Sequence, residues 1–276
     1  MRQRHELTDE QWARLEPLLP TPKHGPQPRD RRRLLNGILW IHATGTQWRD
    51  LPERYGPWET VASQFYRWVR AGVWQTVLAA LQQQADAQGQ LNWSAHFVDG
   101  TSIRAHQHAA GARRVQGGQD QQALGRSRGG FSTKLHVRTE RSGKPLVLLL
   151  TAGERHEQSV FEPLMEVGAL KRPGGRGRPR QRPKRLVGDK GYSSRKVRRY
   201  LRRRSIGVTI PTKRNERPQR TFDRELYRER NKVERCINRL KQFRRVATRY
   251  EKLAVTFLAM VTIAAILIWL ISATTS

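Results

Sequence analysis

The chain has 276 residues, with 53 lysines and arginines against 23 aspartates and glutamates, for a formal charge of +30. An excess of that size repels itself in a compact fold unless a polyanion meets it, so nucleic acid is the first expected partner and an anionic membrane surface the second. One cysteine, Cys236, excludes a disulfide framework or a cysteine-built zinc site within one chain, and with no Gly-Lys-Ser or Gly-Lys-Thr there is no nucleotide phosphate loop.

Met1 to Glu6 holds no apolar run, so no secretory signal is expected and a cytoplasmic location is the simplest reading. Thr8 and Gln11 have capping-box spacing. Trp12, Leu15, Leu18 and Leu19 then mark one apolar face, and Pro20 stops the helix. Pro22 to Pro28 reads as a loop. Arg31 to Ala43 gives a second helix, with Leu34, Leu35, Ile38, Leu39 and Ile41 in its core stripe and Gly45 beyond its end. Pro57 suits the first turn of a third helix, Trp58 to Arg70, and Gly72 separates it from a fourth, Val73 to Gln84. Short helices broken by Gly and Pro suggest a helix-turn-helix type module over residues 1–88, expected to fold alone. Its third helix carries Ser63, Gln64, Arg67 and Arg70, types that reach base edges and phosphates, although a plain helical bundle with a polar face has the same pattern.

From Leu91 the pattern changes. His96 to Gly100 reads as a strand ending on Asp99, with Thr101 to Ala105 starting another. Ala109 to Gly129 reads as a loop, Phe131 to Thr139 as an alternating strand and Ser142 to Pro145 as a hairpin turn. Leu146 to Thr151 is a continuous apolar run, the pattern of a strand buried on both faces. His156 to Leu170 reads as a helix, and residues 171–184 as a mobile basic loop able to touch phosphates. Arg185 to Asp189 is a short strand, Ser193 to Arg204 a basic helix and Val208 to Ile210 a further strand. Leu253 to Ile271 has no charge and approaches the ~20 residues of a membrane span, but its threonines and alanines suit a buried helix better. Strands alternating with helices over 89–276 make an α/β layer.

Tyr227 to Lys241 reads as one helix, on which Tyr227, Arg230, Glu234 and Lys241 fall within about 60° of one face. Val233, Cys236, Ile237 and Leu240 form its core face, and Arg228, Lys232, Arg235 and Arg239 a basic sector. An ordinary surface pair between Glu234 and Arg230 would reproduce part of this. Asp99 and Asp189 each close a short strand with a glycine within two residues, where a phosphate and a metal could approach the backbone closely. With Glu234 they would make an oxygen-only cluster suited to Mg²⁺ or Mn²⁺, two ions of which serve phosphodiester chemistry. A single Asp-Gly pair, taken alone, is more often a turn.

Val98-Asp99-Gly100-Thr101 running on through Arg104 to Ala112, Gly188-Asp189-Lys190-Gly191-Tyr192, the Tyr227/Arg230/Glu234/Lys241 signature and the tail Arg244 to Leu253 resemble the motifs of bacterial insertion-sequence transposases of the D-D-E class, of the insertion-sequence-five type. The resemblance covers nearly the whole chain. It implies an RNase H-like catalytic domain over 89–276, an α/β (α+β) fold with a mixed sheet flanked by helices, preceded by a small all-α helix-turn-helix-like domain. It implies cleavage at element ends and strand transfer, with Asp99, Asp189 and Glu234 as the metal-binding triad. Arg230 and Lys241 would hold DNA backbone, with Tyr227 beside them. The expected partners are double-stranded DNA, as terminal inverted repeats and target, and further copies of the chain in a homodimer or larger assembly on the nucleoid, with no membrane. A relic that still binds element ends without cutting is the alternative. Cys236 is expected to fill core, and His106 and His108, two apart on one side of a strand, to contact DNA or pack a loop rather than bind zinc.

Overall fold

The computed structural model describes residues 4–21, 30–110, 122–127, 129–171, 177–214, 216 and 222–271. The loop expected at Pro22 to Pro28 and most of that at Ala109 to Gly129 lie outside them. Four helices open the chain: α1 (Asp9–Leu15), α2 (Arg31–Thr44), α3 (Trp58–Arg70) and α4 (Val73–Ala87). The capping box forms in full: Gln11 N–H donates to Thr8 Oγ1 at 3.1 Å, and Thr8 N–H to Gln11 Oε1 at 3.0 Å. Gly45 ends α2 in the left-handed region at φ +77°, and a β-carbon there would stand 2.8 Å from Arg244 Cβ.

The sheet is built on β1 (Ala95–Ala105), with β2 (Gly125–Ser127), β3 (Gly130–Glu140), β4 (Pro145–Ala152), β5 (Arg185–Val187), β6 (Gly207–Thr209) and β7 (Thr248–Arg249). β3 is antiparallel to both β1 and β4, whereas β5 runs parallel to β1 and β6 parallel to β5. The order β4-β3-β1-β5-β6, three antiparallel strands then two parallel ones, is that of an RNase H-like sheet. β2 pairs antiparallel with the first residues of β3, and β7 runs parallel to the end of β1. The remaining helices are α5 (Gln107–Ala110), α6 (Phe161–Glu166), α7 (Arg195–Arg203), α8 (Arg224–Arg228), α9 (Asn231–Lys241), α10 (Arg244–Ala247) and α11 (Ala254–Ile271).

Two expectations change here. Asp99 does not end a strand: β1 runs on to Ala105 because β3 keeps pairing with it as far as Arg104 and Ser132. β5 pairs only up to Phe97, so Asp99 lies just past the end of its parallel neighbour. β4, for all its apolar run, pairs with β3 alone; helices α6 and α11 cover it, which is why an edge strand reads as a central one.

α11 is apolar all round because it is enclosed. By length and composition it could cross a membrane, yet 72% of it is buried inside the protein. It packs on α1, α3, α4, α9, α10 and β4. Its partners come from both halves of the chain: His42 Nε2 donates to Met260 O at 2.8 Å, Arg14 to Leu270 O at 3.0 Å, and Trp269 Nε1 to Pro145 O at 2.8 Å. The stripes of the first four helices therefore close on α11 as well as on each other, in one core continuous with the sheet. Residues from both parts of the chain thus contribute to this core.

His42 is wholly buried, and burial pulls its pKa from 6.5 to about 4, against the raising effect of the Met260 hydrogen bond. The unfolded chain takes this proton at about 6.5. Stability from neutral His42 is therefore complete above pH 6.5 and falls between about 6.5 and 4, by about 1.4 kcal/mol per pH unit. Urea unfolding across that range should show the slope, and His42→Gln should remove its share of it while lowering stability at pH 7.

Candidate active site

Phe97 of β1 pairs with Val187, the last residue of β5. Asp99 and Asp189 each follow two residues later, so parallel pairing brings the two carboxylates side by side past the end of β5. Asp99 Oδ1 accepts from Gly100 N–H at 2.8 Å. Its Oδ2 pairs with Arg230 Nη1 at 3.2 Å, while Arg230 Nη2 pairs with Glu234 Oε1. Thr101 shares the Asp99 face of β1, and Lys241 Nζ donates to its hydroxyl at 2.6 Å and to Ser102 O at 3.4 Å. The signature residues Arg230, Glu234 and Lys241 thus meet the strand that carries Asp99.

Burial raises the Asp99 carboxyl pKa, the Gly100 hydrogen bond and Arg230 draw it back, and Asp189 and Glu234 push it up again. Burial disfavours the Arg230 charge, but the carboxylates of Asp99 and Glu234 outweigh it and leave the guanidinium held more firmly protonated than usual. Asp189 Oδ1 is buried with no hydrogen-bond partner among the described residues, and so is the Tyr192 hydroxyl. An orphaned carboxylate oxygen beside a desolvated second carboxylate is a site short of positive charge, and it fits a hard divalent cation. Asp99 and Asp189 would hold it. Among the described residues no three acidic, imidazole or thiol side chains stand close enough to share one ion. Glu234 is separated from the pair by the guanidinium of Arg230.

Tyr227 is not on the Glu234 helix. The chain breaks at Glu229–Arg230, so Tyr227 belongs to α8, against Phe222 at 5.3 Å, and Arg230 caps α9. At the break the backbone stays right-handed but tightens, with Arg230 N–H donating to Tyr227 O at 3.0 Å and Lys232 N–H to Glu229 O at 2.9 Å. Glu229 pairs with Arg141 at 2.7 Å and Lys232 at 2.6 Å, which pull its pKa down to about 2. The rest of α9 reads as its spacing predicts: Val233, Cys236, Ile237 and Leu240 are buried, and burial pushes the Cys236 thiol up to about 12. His106 and His108 lie beyond the end of β1, not on it. Their rings meet edge to face at 4.7 Å, and His106 packs on Tyr250 at 5.1 Å. The basic segment 171–184 is tied down over its described part: Arg180 pairs with Asp86 at 3.3 Å, lies over Trp93 and bridges Leu170. Ser63, Arg67 and Arg70 are exposed on α3; Gln64 is half-buried and accepts from Arg67 at 3.2 Å.

The glycines beside the aspartates have a use that the sequence did not disclose. A β-carbon on Gly191 would overlap Glu157 Oε2, and one on Gly100 would lie 3.4 Å from Glu157 Cγ. Glu157 therefore fills the space that a ligand was expected to take, in an ion pair with Lys134 at 2.8 Å. Nothing in its spacing marks it; the only hint is a carboxylate soon after a buried strand.

A mixed sheet of this order, with Asp99 on its central strand, Asp189 just past the neighbouring one and Glu234 on a helix bearing Arg and Lys, is the arrangement expected of a polynucleotidyl-transfer enzyme. The family model for the "Transposase DDE domain" matches residues 94–269, and that described as "Putative transposase of IS4/5 family" matches residues 7–78. The chain belongs to the DDE transposases of bacterial insertion sequences, which cleave DNA and transfer strands. It is 45% identical to the uncharacterized protein y4sN of Sinorhizobium fredii over 41% of this chain and 86% of that protein. It is 35% identical to the "Putative transposase for insertion sequence element IS402" of Burkholderia cepacia over 44% and 55% of the two chains. A third relative, the "Putative transposase for insertion sequence element IS6501" of Brucella ovis, is 28% identical over 51% and 99%. A pre-cleavage Mos1 transpososome covers 79% of this chain and 81% of that one at 14% identity, with a TM-score of 0.29, too loose a likeness to add to the strand order. Enzymes of the DDE class work with divalent metal ions.

Arg230 is the charge that draws the Asp99 pKa down. Arg230→Ala should move it further up, as read by ¹³C carboxyl NMR titration of the metal-free protein; an unchanged Asp99 titration would show that the pair does not form in solution.

Proposed function

We propose that Asp99, Asp189 and Glu234 are the catalytic triad of a transposase that cuts double-stranded DNA at the terminal inverted repeats of its element and joins the freed ends to target DNA. The observation that carries this is the donor-less buried oxygen of Asp189 beside desolvated Asp99, with Arg230 fastened to both Asp99 and Glu234. Mg²⁺ is the working ion, Mn²⁺ substitutes for it, and two ions bind. When bound, they supply Lewis-acid stabilisation to the attacking and leaving oxygens of a phosphodiester displacement. Arg230 is then free to leave the carboxylates for DNA phosphate, and Lys241, braced on Thr101, meets the same backbone with Tyr227 near it. Water and then a 3′-hydroxyl are the nucleophiles. Tyr192, with 0% of its surface exposed, is out of reach of DNA and forms no covalent link to it.

In this reading residues 1–88 recognise element ends through Gln64, Arg67 and Arg70 on α3, and residues 89–276 cut. Two ends must be held at once, which calls for a homodimer or a larger assembly on nucleoid DNA.

Asp99→Ala, Asp189→Ala and Glu234→Gln should each reduce Mg²⁺-dependent cleavage of an end-bearing duplex to the limit of detection while leaving DNA binding in place; near-normal cutting by any one removes that residue from the triad. In the full chain, Gln64→Ala with Arg67→Ala should lower the preference for end over random DNA by about 1–3 kcal/mol per lost base contact. Gel-shift titration measures this, and an unchanged ratio assigns end recognition elsewhere.

A further inference from the structure

The turn after β4 carries a carboxylate that the triad does not use. Glu157 heads a 3₁₀ turn, Glu157–Val160, with its side chain only 20% exposed. Oε1 takes the ion pair from Lys134. Oε2 lies over Gly191, where an added methyl would overlap it and stand 3.0 Å from Asp189 Oδ1. On its other side Glu157 lies against Gly100, the neighbour of Asp99. It therefore sits between the two aspartate-bearing segments, and each has a glycine at the point of contact.

The surroundings hold it there. Gln158 Nε2 donates to Gly191 O and Ser193 O, both at 3.0 Å, which ties the turn to the Asp189 loop. Buried Arg138 donates to Met165 O at 3.0 Å and Val167 O at 2.8 Å, tying the helix that follows the turn to β3. A second observation points to a ligand. The Tyr192 hydroxyl is buried, has no partner among the described residues, and feels the charges of Glu157, Asp99 and Asp189. A buried hydroxyl and a buried carboxylate oxygen, both unpartnered and both next to Glu157, mark a place for a polar group that bonds to them.

We propose that Glu157 is a fourth carboxylate of the catalytic centre, a positioning residue that, with Asp189 and the Tyr192 hydroxyl, orients the water shell of a divalent cation bound at Asp99 and Asp189. This rests on the metal-centre reading above. Glu157 acts through that shell and not as a direct ligand, since no three such side chains among the described residues converge closely enough. Lys134 opposes it. The ammonium neutralises Glu157 and places a positive charge where a cation is to come, so the ion pair and the cation compete for one carboxylate.

The competition gives two substitutions opposite signs, which a merely structural role would not. The test is Mn²⁺ titration of the full-length protein, with free ion counted by electron paramagnetic resonance and no DNA present. Glu157→Gln should weaken Mn²⁺ binding by about 10–100-fold, and Lys134→Met should tighten it severalfold. Asp189→Ala separates this inference from the reading beneath it. If Asp189→Ala loses the ion and Glu157→Gln binds it like wild type, Glu157 is overturned and the metal centre stands. If Asp189→Ala also binds like wild type, the metal centre falls and Glu157 with it. Should Glu157→Gln fail to fold, Lys134→Met carries the test alone, and unchanged or weaker binding refutes the proposal.

Discussion

The structure depends on gathering negative charge in a place that water does not fully reach. Asp99 and Asp189 lie past the end of β5 with Glu157 against the glycines beside them, and the charges of Asp189 and Glu234 add to the cost of ionising buried Asp99. Two cations within the chain offset that cost from opposite sides, Arg230 for Asp99 and Glu234, and Lys134 for Glu157. The arrangement is balanced but not saturated, as the bare oxygen of Asp189 shows. Glu234 is 46% exposed, so its link to Arg230 is screened and easily exchanged. The guanidinium is thus anchored at its buried end by Asp99 and more loosely held at its outer end by Glu234.

The same economy explains part of the large positive charge. Several arginines are structural. Arg249 is fully buried, donates to Glu251 O, Ala123 O and Lys252 O, and has a pKa pulled to about 10 by burial. Arg138 does the same for the C-terminal end of α6, and Arg245 pairs with buried Glu251. Guanidinium suits this work because its fork satisfies several carbonyls at once. Counting basic residues therefore overstates the surface offered to DNA, although the exposed arginines of α3, α7 and α9 still leave a basic exterior.

Much of this was legible in the chain because the relevant signals are local. The Thr8–Gln11 box, Gly45 and Gly72 at helix boundaries, and the Val233/Cys236/Ile237/Leu240 stripe each depend on neighbours a few residues away. Two Asp-Gly-type motifs and the Tyr-Arg-Glu-Lys spacing were enough to name the candidate triad. What stayed hidden depends on distant partners. The continuity of β1 past Asp99 is decided by β3, and the fastening of Arg180 by Asp86. Glu157 was missed for the same reason: its neighbours Gly100 and Gly191 lie far off in sequence on both sides. Angles on an ideal helix could not show that Tyr227 belongs to a separate one.

The position of α11 bears on how the protein comes into being. Arg14 and Leu270, 256 positions apart, are joined by one hydrogen bond, and His42 waits for Met260. The opening helices cannot complete their packing until α11 has left the ribosome. A contact of such sequence separation is slow to close and leaves apolar stripes uncovered meanwhile. Any surface carried by those helices is therefore completed only after α11 has been made. A chain cut short before α11 would leave the inner faces of α1, α3 and α4 without that partner.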